Sequence, residues 1–154
     1  MKISLLFLSK SSEEFIQEGI SYYSRKISYF ANLQLICIPY KSNNNLSIQQ
    51  LQQLEFSEIE KRLDSGDNIF LLDKVGPQYS SEEFAQLLQR MISQSNKNIS
   101  FAIGGPFGFP PEAISRYKTI SLSKMTFSHQ IIRLIFLEQL YRAFTIINNH
   151  PYHH

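Results

Sequence analysis

The sequence contains a single cysteine, no tryptophan and no long hydrophobic run. With one thiol, Cys37, an intramolecular disulfide is impossible, and the surrounding LICIPY predicts that this thiol is a small buried side chain. The apolar run in MKISLLFLSK is too short to cross a membrane, and no small-residue cleavage site follows it. These features favour a cytoplasmic protein without membrane attachment.

An excess of charge of one sign is also missing. The 15 Lys and Arg against 13 Asp and Glu leave a formal charge of only +2, which excludes a large non-specific attraction to nucleic acid or to an anionic membrane. Positive charge does accumulate after residue 113, where five cations face one acid: Arg116, Lys118, Lys124, Arg133 and Arg142 against Glu138. A site for a polyanion is therefore expected to be local and C-terminal.

Short apolar runs alternate with longer segments of helical periodicity. This pattern is typical of an α/β protein, and a chain of 154 residues is the size of a single domain, here residues 1–154. Strands are predicted near residues 2–8, 33–39, 68–73, 99–103 and 118–122. Because chains rarely thread their own loops, the residues alone favour an unknotted, doubly wound sheet.

Helices are predicted between the strands. In the first, Ser11 precedes Glu14 by three residues, as in a capping box, and apolar residues recur at helical spacing: Phe15, Ile20, Tyr23, Ile27 and Phe30. The tetrapeptide SSEE occurs again at residues 80–83 and predicts a second, independent helix start. A further helix is expected to end at Gly66. Its apolar face would consist of Ile48, Leu51, Ile59 and Leu63.

The last predicted helix spans about residues 127–148. Its apolar surface is wider than a single stripe, which predicts either a central helix or one that also contacts a second subunit. His129 and Arg133 are four residues apart and point the same way, and Glu138 and Arg142 have the same spacing and are expected to pair.

Two loops that follow predicted strands are candidate ligand-binding segments. GGPFGFPPE, after the fourth strand, lets a ligand approach the backbone, although a tight turn is an equally good interpretation, and it matches neither phosphate-binding glycine motif. SLSKMTFS, after the fifth strand, has Ser123, Thr126 and Ser128 as helix caps or as part of a site for a carboxylate or a heterocycle edge. Together the loops predict one pocket lined by backbone groups.

The C-terminal NNHPYHH holds three of the four histidines. No carboxylate completes a zinc-ligand set, and Pro151 prevents a continuous helix, so a metal site is not expected. Composition leaves open whether this tail is ordered or frayed, and it leaves His154 without a role.

The last third of the chain contains three segments in order: IGGPFGF, SLSKMTFSHQIIRLIFLEQLYRAF and NNHPYHH. Together they closely resemble the bacterial ribosomal RNA large subunit methyltransferase H family, within the SPOUT methyltransferases. A weaker resemblance extends over the whole chain through MKISLLFL, LICIPY and IFLLD. The resemblance implies an open α/β sheet with helices on both faces, a deep C-terminal trefoil knot and a homodimer.

The same resemblance implies the activity. S-adenosylmethionine would be the cofactor, and the substrate would be N3 of a pseudouridine in the 23S ribosomal RNA of the assembled ribosome. The cofactor-binding positions carried over are Leu72, Gly104, Gly105, Leu122, Ser123, Lys124, Met125, Thr126, Phe127 and Ser128.

The reaction itself requires a group that takes a proton, because an imide nitrogen such as N3 is a poor nucleophile until its proton leaves. His153 is the favoured base, with His129 and Glu138 as competing candidates. Arg133 or Arg142 would stabilise the developing negative charge, and Tyr152 would stack on or hydrogen-bond to the target base. Two other functions stay open: a non-catalytic RNA-binding protein, and a small nucleotide-binding enzyme, which the missing phosphate motifs disfavour.

Overall fold

The computed structural model describes residues 1–11, 13–41, 45–94 and 98–153, without the side chains of Gln94 and His153. Five parallel strands form one sheet in the order β2-β1-β4-β3-β5. The strands are β1 Lys2–Leu8, β2 Asn32–Ile38, β3 Asn68–Leu72, β4 Ile99–Ile103 and β5 Lys118–Ile120. All five predicted strands are confirmed, with ends that differ by two residues or fewer.

Helices cover both faces of this sheet. The helices are α1 Glu14–Ile27, α2 Ile48–Glu60, α3 Ser81–Gln94, α4 Pro111–Arg116 and α5 Ile131–Ile147, and a short 3-10 helix, Pro151–His153, follows. α1, α3 and α5 share one apolar core with alternate residues of β1 such as Ile3 and Leu5, whereas α2 and α4 pack on the opposite face against Leu6 and Leu8. Both faces of β1 are therefore buried, as is usual for a parallel sheet.

The central helix of the larger core is α5. It packs between α1 and α3, and its Phe136 ring lies 4.7 Å from that of Phe101 on β4. Burial on several sides within one chain explains much of the wide apolar surface of this segment, while Ile131, Leu134 and Ile135 are only partly buried. The helix begins at Ile131, four residues later than predicted, because residues 121–128 form a loop.

Side-chain caps are present at the starts of α2 and α3 but not at the start of α1. Ser80 and Glu83 form a reciprocal pair at the start of α3, and Ser47 forms the same motif with Gln50 at the start of α2. The predicted capping box of Ser11 is wrong, because the residue before α1 is Glu13 and the Ser11 hydroxyl accepts a hydrogen bond from an arginine of α5 instead.

Two predicted residues of helix faces and one predicted helix end are also wrong. Phe15 is 57% exposed and its neighbour Ile16 takes the buried position, while Ile48 is 54% exposed at the first turn of α2. Gly66 does not close α2, which ends at Glu60, and it lies in a separate turn whose backbone amide donates to Asp64. Helical spacing identified the amphipathic segments but not which residue of each turn faces the sheet.

Candidate active site

The carboxyl ends of β3, β4 and β5 open into one cavity of about 770 Å³. The last residues of these strands, Leu72, Ile103 and Ile120, lie in its wall, and the loops that follow them supply most of the remaining lining. Parallel strands bring their carboxyl ends to one edge of a sheet, which is where ligands bind in open α/β folds. The two candidate loops therefore meet, as predicted from the sequence.

Most of the implied cofactor-binding residues line this cavity: Leu72, Gly104, Gly105, Leu122, Ser123, Met125, Thr126 and Phe127. Lys124 and Ser128 are exposed and do not belong to the lining. The Ser128 hydroxyl accepts from the Ile131 amide at 3.2 Å, which is the capping role that its position suggested. Ser123 does not cap α5, since its hydroxyl accepts from the Met125 amide at 3.0 Å and stabilises the loop itself.

The glycine-rich loop, residues 104–109, is held from two sides. The Gly108 amide donates to the Gly105 carbonyl at 3.0 Å, and Gly108 has a φ of 75°, which only glycine adopts readily. On one side Asp73 Oδ2 accepts from the Phe109 amide at 3.2 Å, and on the other the Gln52 side chain donates to the Phe107 carbonyl at 2.8 Å. The loop is therefore a fixed backbone surface.

The charges of the lining are few. Asp73 is the acid and Lys74 and His129 are the basic residues among the described residues that line the cavity. Its mouth carries exposed apolar side chains, of which Met125 at 74% is the most exposed. Sequence reasoning missed Asp73, Lys74 and Gln52, because neither a strand-end carboxylate nor a polar residue on a distant helix has a recognisable local pattern.

His129 and Arg133 are close to each other but differ in access to the cavity. His129 lies in the cavity wall, and its pKa is lowered by burial and by the positive charge of Arg133. Arg133 is only 1% exposed, and burial lowers its pKa. It donates to the carbonyls of Leu8 at 2.7 Å and Ser9 at 3.0 Å, to the Ser11 hydroxyl and to the His129 carbonyl.

Arg133 therefore ties the start of α5 to the end of β1. Its guanidinium also lies 4.5 Å from the centre of the Phe7 ring. The Ser9 carbonyl that it binds belongs to a residue with a φ of 60°, an unusual value outside glycine. These contacts engage the guanidinium with the protein, so the geometry favours a positioning role for Arg133 over contact with a substrate.

The remaining predicted site residues lie in the middle of α5, in its last turns and in the 3-10 helix that follows it. Glu138 and Arg142 form the expected ion pair, at 2.6 and 3.0 Å, and Tyr152 packs on Tyr141 with ring centres 4.6 Å apart. The Tyr152 hydroxyl is 3.3 Å from that of Tyr23, and burial raises the Tyr152 pKa.

None of Glu138, Arg142 and Tyr152 lines the described cavity. Ile132 is in the cavity wall, and the ten residues of helix from there to Arg142 correspond to about 15 Å. The backbone of His153 ends the 3-10 helix, while its side chain and all of His154 lie outside the described part. Within one chain, Arg142 and Tyr152 are therefore separate from the cavity.

The described ranges hold neither a metal-binding cluster nor a membrane-spanning helix. No group of three or more His, Cys, Asp or Glu in them is placed to hold a metal ion. Among the helices of the same ranges, none has the length and apolar character that crossing a membrane requires.

The parallel sheet and its backbone-lined cavity agree with the comparison to known families. A family model described as "Predicted SPOUT methyltransferase" matches residues 1–153, and the chain belongs to this family. Among curated relatives, Ribosomal RNA large subunit methyltransferase H of Phocaeicola vulgatus is 45% identical, with 100% of this chain and 99% of the relative covered. The proteins of the same name from Parabacteroides distasonis and Cytophaga hutchinsonii are 42% and 39% identical, each over 100% of this chain and over 99% and 100% of the relative.

Proposed function

We propose that this protein is an S-adenosylmethionine-dependent methyltransferase that acts on N3 of a pseudouridine in 23S ribosomal RNA, on the assembled ribosome and in the cytoplasm. The observation that carries the proposal is the cavity of about 770 Å³ at the strand ends of a SPOUT-family chain. The relatives are named as ribosomal RNA methyltransferases, which supports the substrate class. The target atom is the one that the sequence resemblance implies.

The cavity suits S-adenosylmethionine in size and in lining. Sites for ligands of this size have volumes of about 300–1,000 Å³ and combine apolar walls with a few polar groups. Leu72 and Leu122 supply apolar surface, Gly104 and Gly105 supply backbone to the wall, and Asp73 supplies negative charge for a cationic ligand. When bound, S-adenosylmethionine contributes an electrophilic methyl group on a positively charged sulfur.

The residues of the chain must hold the target base and accept its N3 proton. His129 is the base that the described geometry supports best, since it lies in the cavity wall and its lowered pKa keeps the imidazole neutral near pH 7. His153 is the alternative base. We assign a positioning role to Arg133, because its side chain donates a hydrogen bond to the backbone carbonyl of His129.

A second copy of the chain is part of the proposal. Tyr152, Arg142 and Glu138 do not line the cavity of their own chain, and we propose that in a homodimer they reach the cavity of the other copy. Tyr152 would then contact the target base, Arg142 would stabilise negative charge, and Glu138 would hold Arg142 in place. The C-terminal trefoil knot of the family is part of the same proposal.

The experiment that tests the function has two steps. Calorimetry should detect binding of S-adenosylmethionine, and the purified protein should methylate ribosomal particles from cells that lack this activity, with the modified nucleotide located by mass mapping. The formal charge of +2 is too small to capture an isolated stem-loop, so naked RNA should be a poor substrate. No heat at millimolar ligand would favour a non-catalytic RNA-binding protein.

Removal of residues 151–154 tests the role of the tail. Pro151 and Tyr152 do not line the cavity, so the truncated protein should bind S-adenosylmethionine with about the same affinity. Methyl transfer should be abolished, because the proposed contacts to the target base are lost. Transfer to ribosomes at the full-length rate would show that Tyr152 and His153 are misassigned.

A further inference from the structure

Glu55 on α2 is a buried acid that the proposed chemistry does not use. It is 4% exposed, and its Oε2 accepts no hydrogen bond from any protein group among the described residues. Burial raises its pKa. A buried carboxylate that is not paired is costly, so burial disfavours the charged form of Glu55.

The position of this carboxyl group links it to the cavity. It occupies the space in which a side chain at residue 105 would lie, because a Cβ built on Gly105 would overlap all three carboxyl atoms of Glu55. Gly105 contributes to the cavity wall on its other side. One turn earlier on α2, Gln52 bonds to the carbonyls of Phe107 and Phe109 at 2.8 and 3.4 Å, so the same face of α2 supports the whole glycine-rich loop.

We propose that Glu55 is a positioning residue of the cofactor site: its carboxyl group supports Gly105 from outside the cavity and sets the loop conformation that binds the cofactor. This inference rests on the proposed function for the identity of the ligand. The contact between Glu55 and the glycine-rich loop is independent of that identity. Ala or Leu at position 55 would remove the support, whereas Gln has nearly the same shape.

Burial is the cause of the raised pKa of Glu55, and several polar groups lie on the elements around it. Tyr40, in the segment after β2, has a pKa that is raised by burial and then by the charges of Glu55 and Glu58. The loop itself, residues 104–109, carries no titratable side chain, and Asp73 holds its opposite side. On α4, Glu112 accepts from Gln53, the neighbour of Gln52 on α2. At the end of α2 and on α4, the cations Lys61 and Arg116 pair with Glu58 and Glu60.

The sign of the pH effect follows from the raised pKa. The folded protein binds a proton at Glu55 that the unfolded chain releases near the ordinary pKa of 4.5. The stabilisation of the loop by neutral Glu55 is therefore complete below that pH and is lost as the pH rises through the raised pKa. An ionised Glu55 would be drawn toward water, and Gly105 would lose its support.

The first measurement needs no ligand. In a pH series of amide NMR spectra, the Gly105 resonance of the wild-type protein should titrate with a midpoint above the ordinary glutamate pKa. Glu55→Gln should abolish this titration, while the matched control Glu58→Gln, a change of a partly exposed acid on the same helix, should preserve it. A Gly105 resonance that does not titrate in the wild-type protein would overturn the proposal even if neither variant folds.

The second measurement is calorimetry with S-adenosylmethionine over the same pH range. The wild-type affinity should fall by up to about tenfold per pH unit above the Glu55 pKa, because binding then requires uptake of a proton. The affinity of Glu55→Gln for S-adenosylmethionine should not change with pH in this way. If Glu55 had only a packing role, the variant would be less stable but its affinity would have the same pH dependence as that of the wild-type protein. Equal pH dependence in both proteins would overturn the proposal. Absence of binding by the wild-type protein would refute the proposed function, and the NMR titration would still decide the role of Glu55.

Discussion

Replacement of Arg133 by methionine is expected to cost a large share of the free energy of unfolding. Methionine retains an unbranched side chain that can fill the buried space but cannot donate a hydrogen bond. The change leaves the carbonyls of Leu8, Ser9 and His129 without the donor that they have in the native protein. It also removes the hydrogen bond to the Ser11 hydroxyl and the contact with the Phe7 ring.

The magnitude follows from these contacts. Hydrogen bonds that involve a charged group contribute about 1.5–3 kcal/mol each, and four are lost. The variant no longer buries a charge, which offsets part of this loss. The expected net cost is about 3–5 kcal/mol, compared with a total stability of about 5–15 kcal/mol for a typical protein.

Urea unfolding at neutral pH measures this cost. The matched control is Arg116→Met, which removes an exposed ion pair with Glu60 at 2.6 Å and should cost about 0–1 kcal/mol. A cost below about 1 kcal/mol for Arg133→Met would refute the reasoning. Arg133→Lys keeps the charge but not the planar fork and should be intermediate in stability. A lysine variant of native stability that binds the cofactor but transfers no methyl group would restore the alternative of a direct contact with substrate.

Two further predictions concern the cavity. Gly108→Ala should cost about 1–3 kcal/mol of the free energy of unfolding and weaken binding of S-adenosylmethionine, because φ is 75° and the new Cβ would lie 2.9 Å from Asp73 Oδ2. The control is Gly66→Ala, in an exposed turn. Equal unfolding midpoints of the two variants would contradict the argument. His129 binds fewer protons when folded than when unfolded, so its contribution to stability should be complete above about pH 6.5 and should decline as the pH falls through its lowered pKa. The unfolding midpoint of His129→Asn should lack this dependence, and methyl transfer by the wild-type protein should fall over the same range if His129 is the base.

Much of the fold could be predicted from the sequence because its determinants are local. The apolar runs that became β1 and β4 are nearly continuous, as strands buried on both faces require, and the glycines after β4 indicate a backbone surface. The pairing of Glu138 with Arg142 was predicted because four residues of helix bring two side chains together. The two loops after β4 and β5 were predicted to form one pocket, and most of the cofactor-binding positions that the family resemblance implies lie in its wall.

Other features depended on residues that are far apart in the chain. Ser11 has the spacing of a helix cap, but its hydroxyl accepts a hydrogen bond from Arg133, 122 positions later. A buried guanidinium without acceptors costs more free energy than an exposed helix end without a cap, since water can bond to the exposed end. The burial of Glu55 beneath Gly105 likewise has no local pattern, since it depends on how α2 packs against the sheet. The sequence by itself determined the five strands, four of the five described helices and the family, and the tertiary structure alone decided which polar side chains are buried and which partners they have.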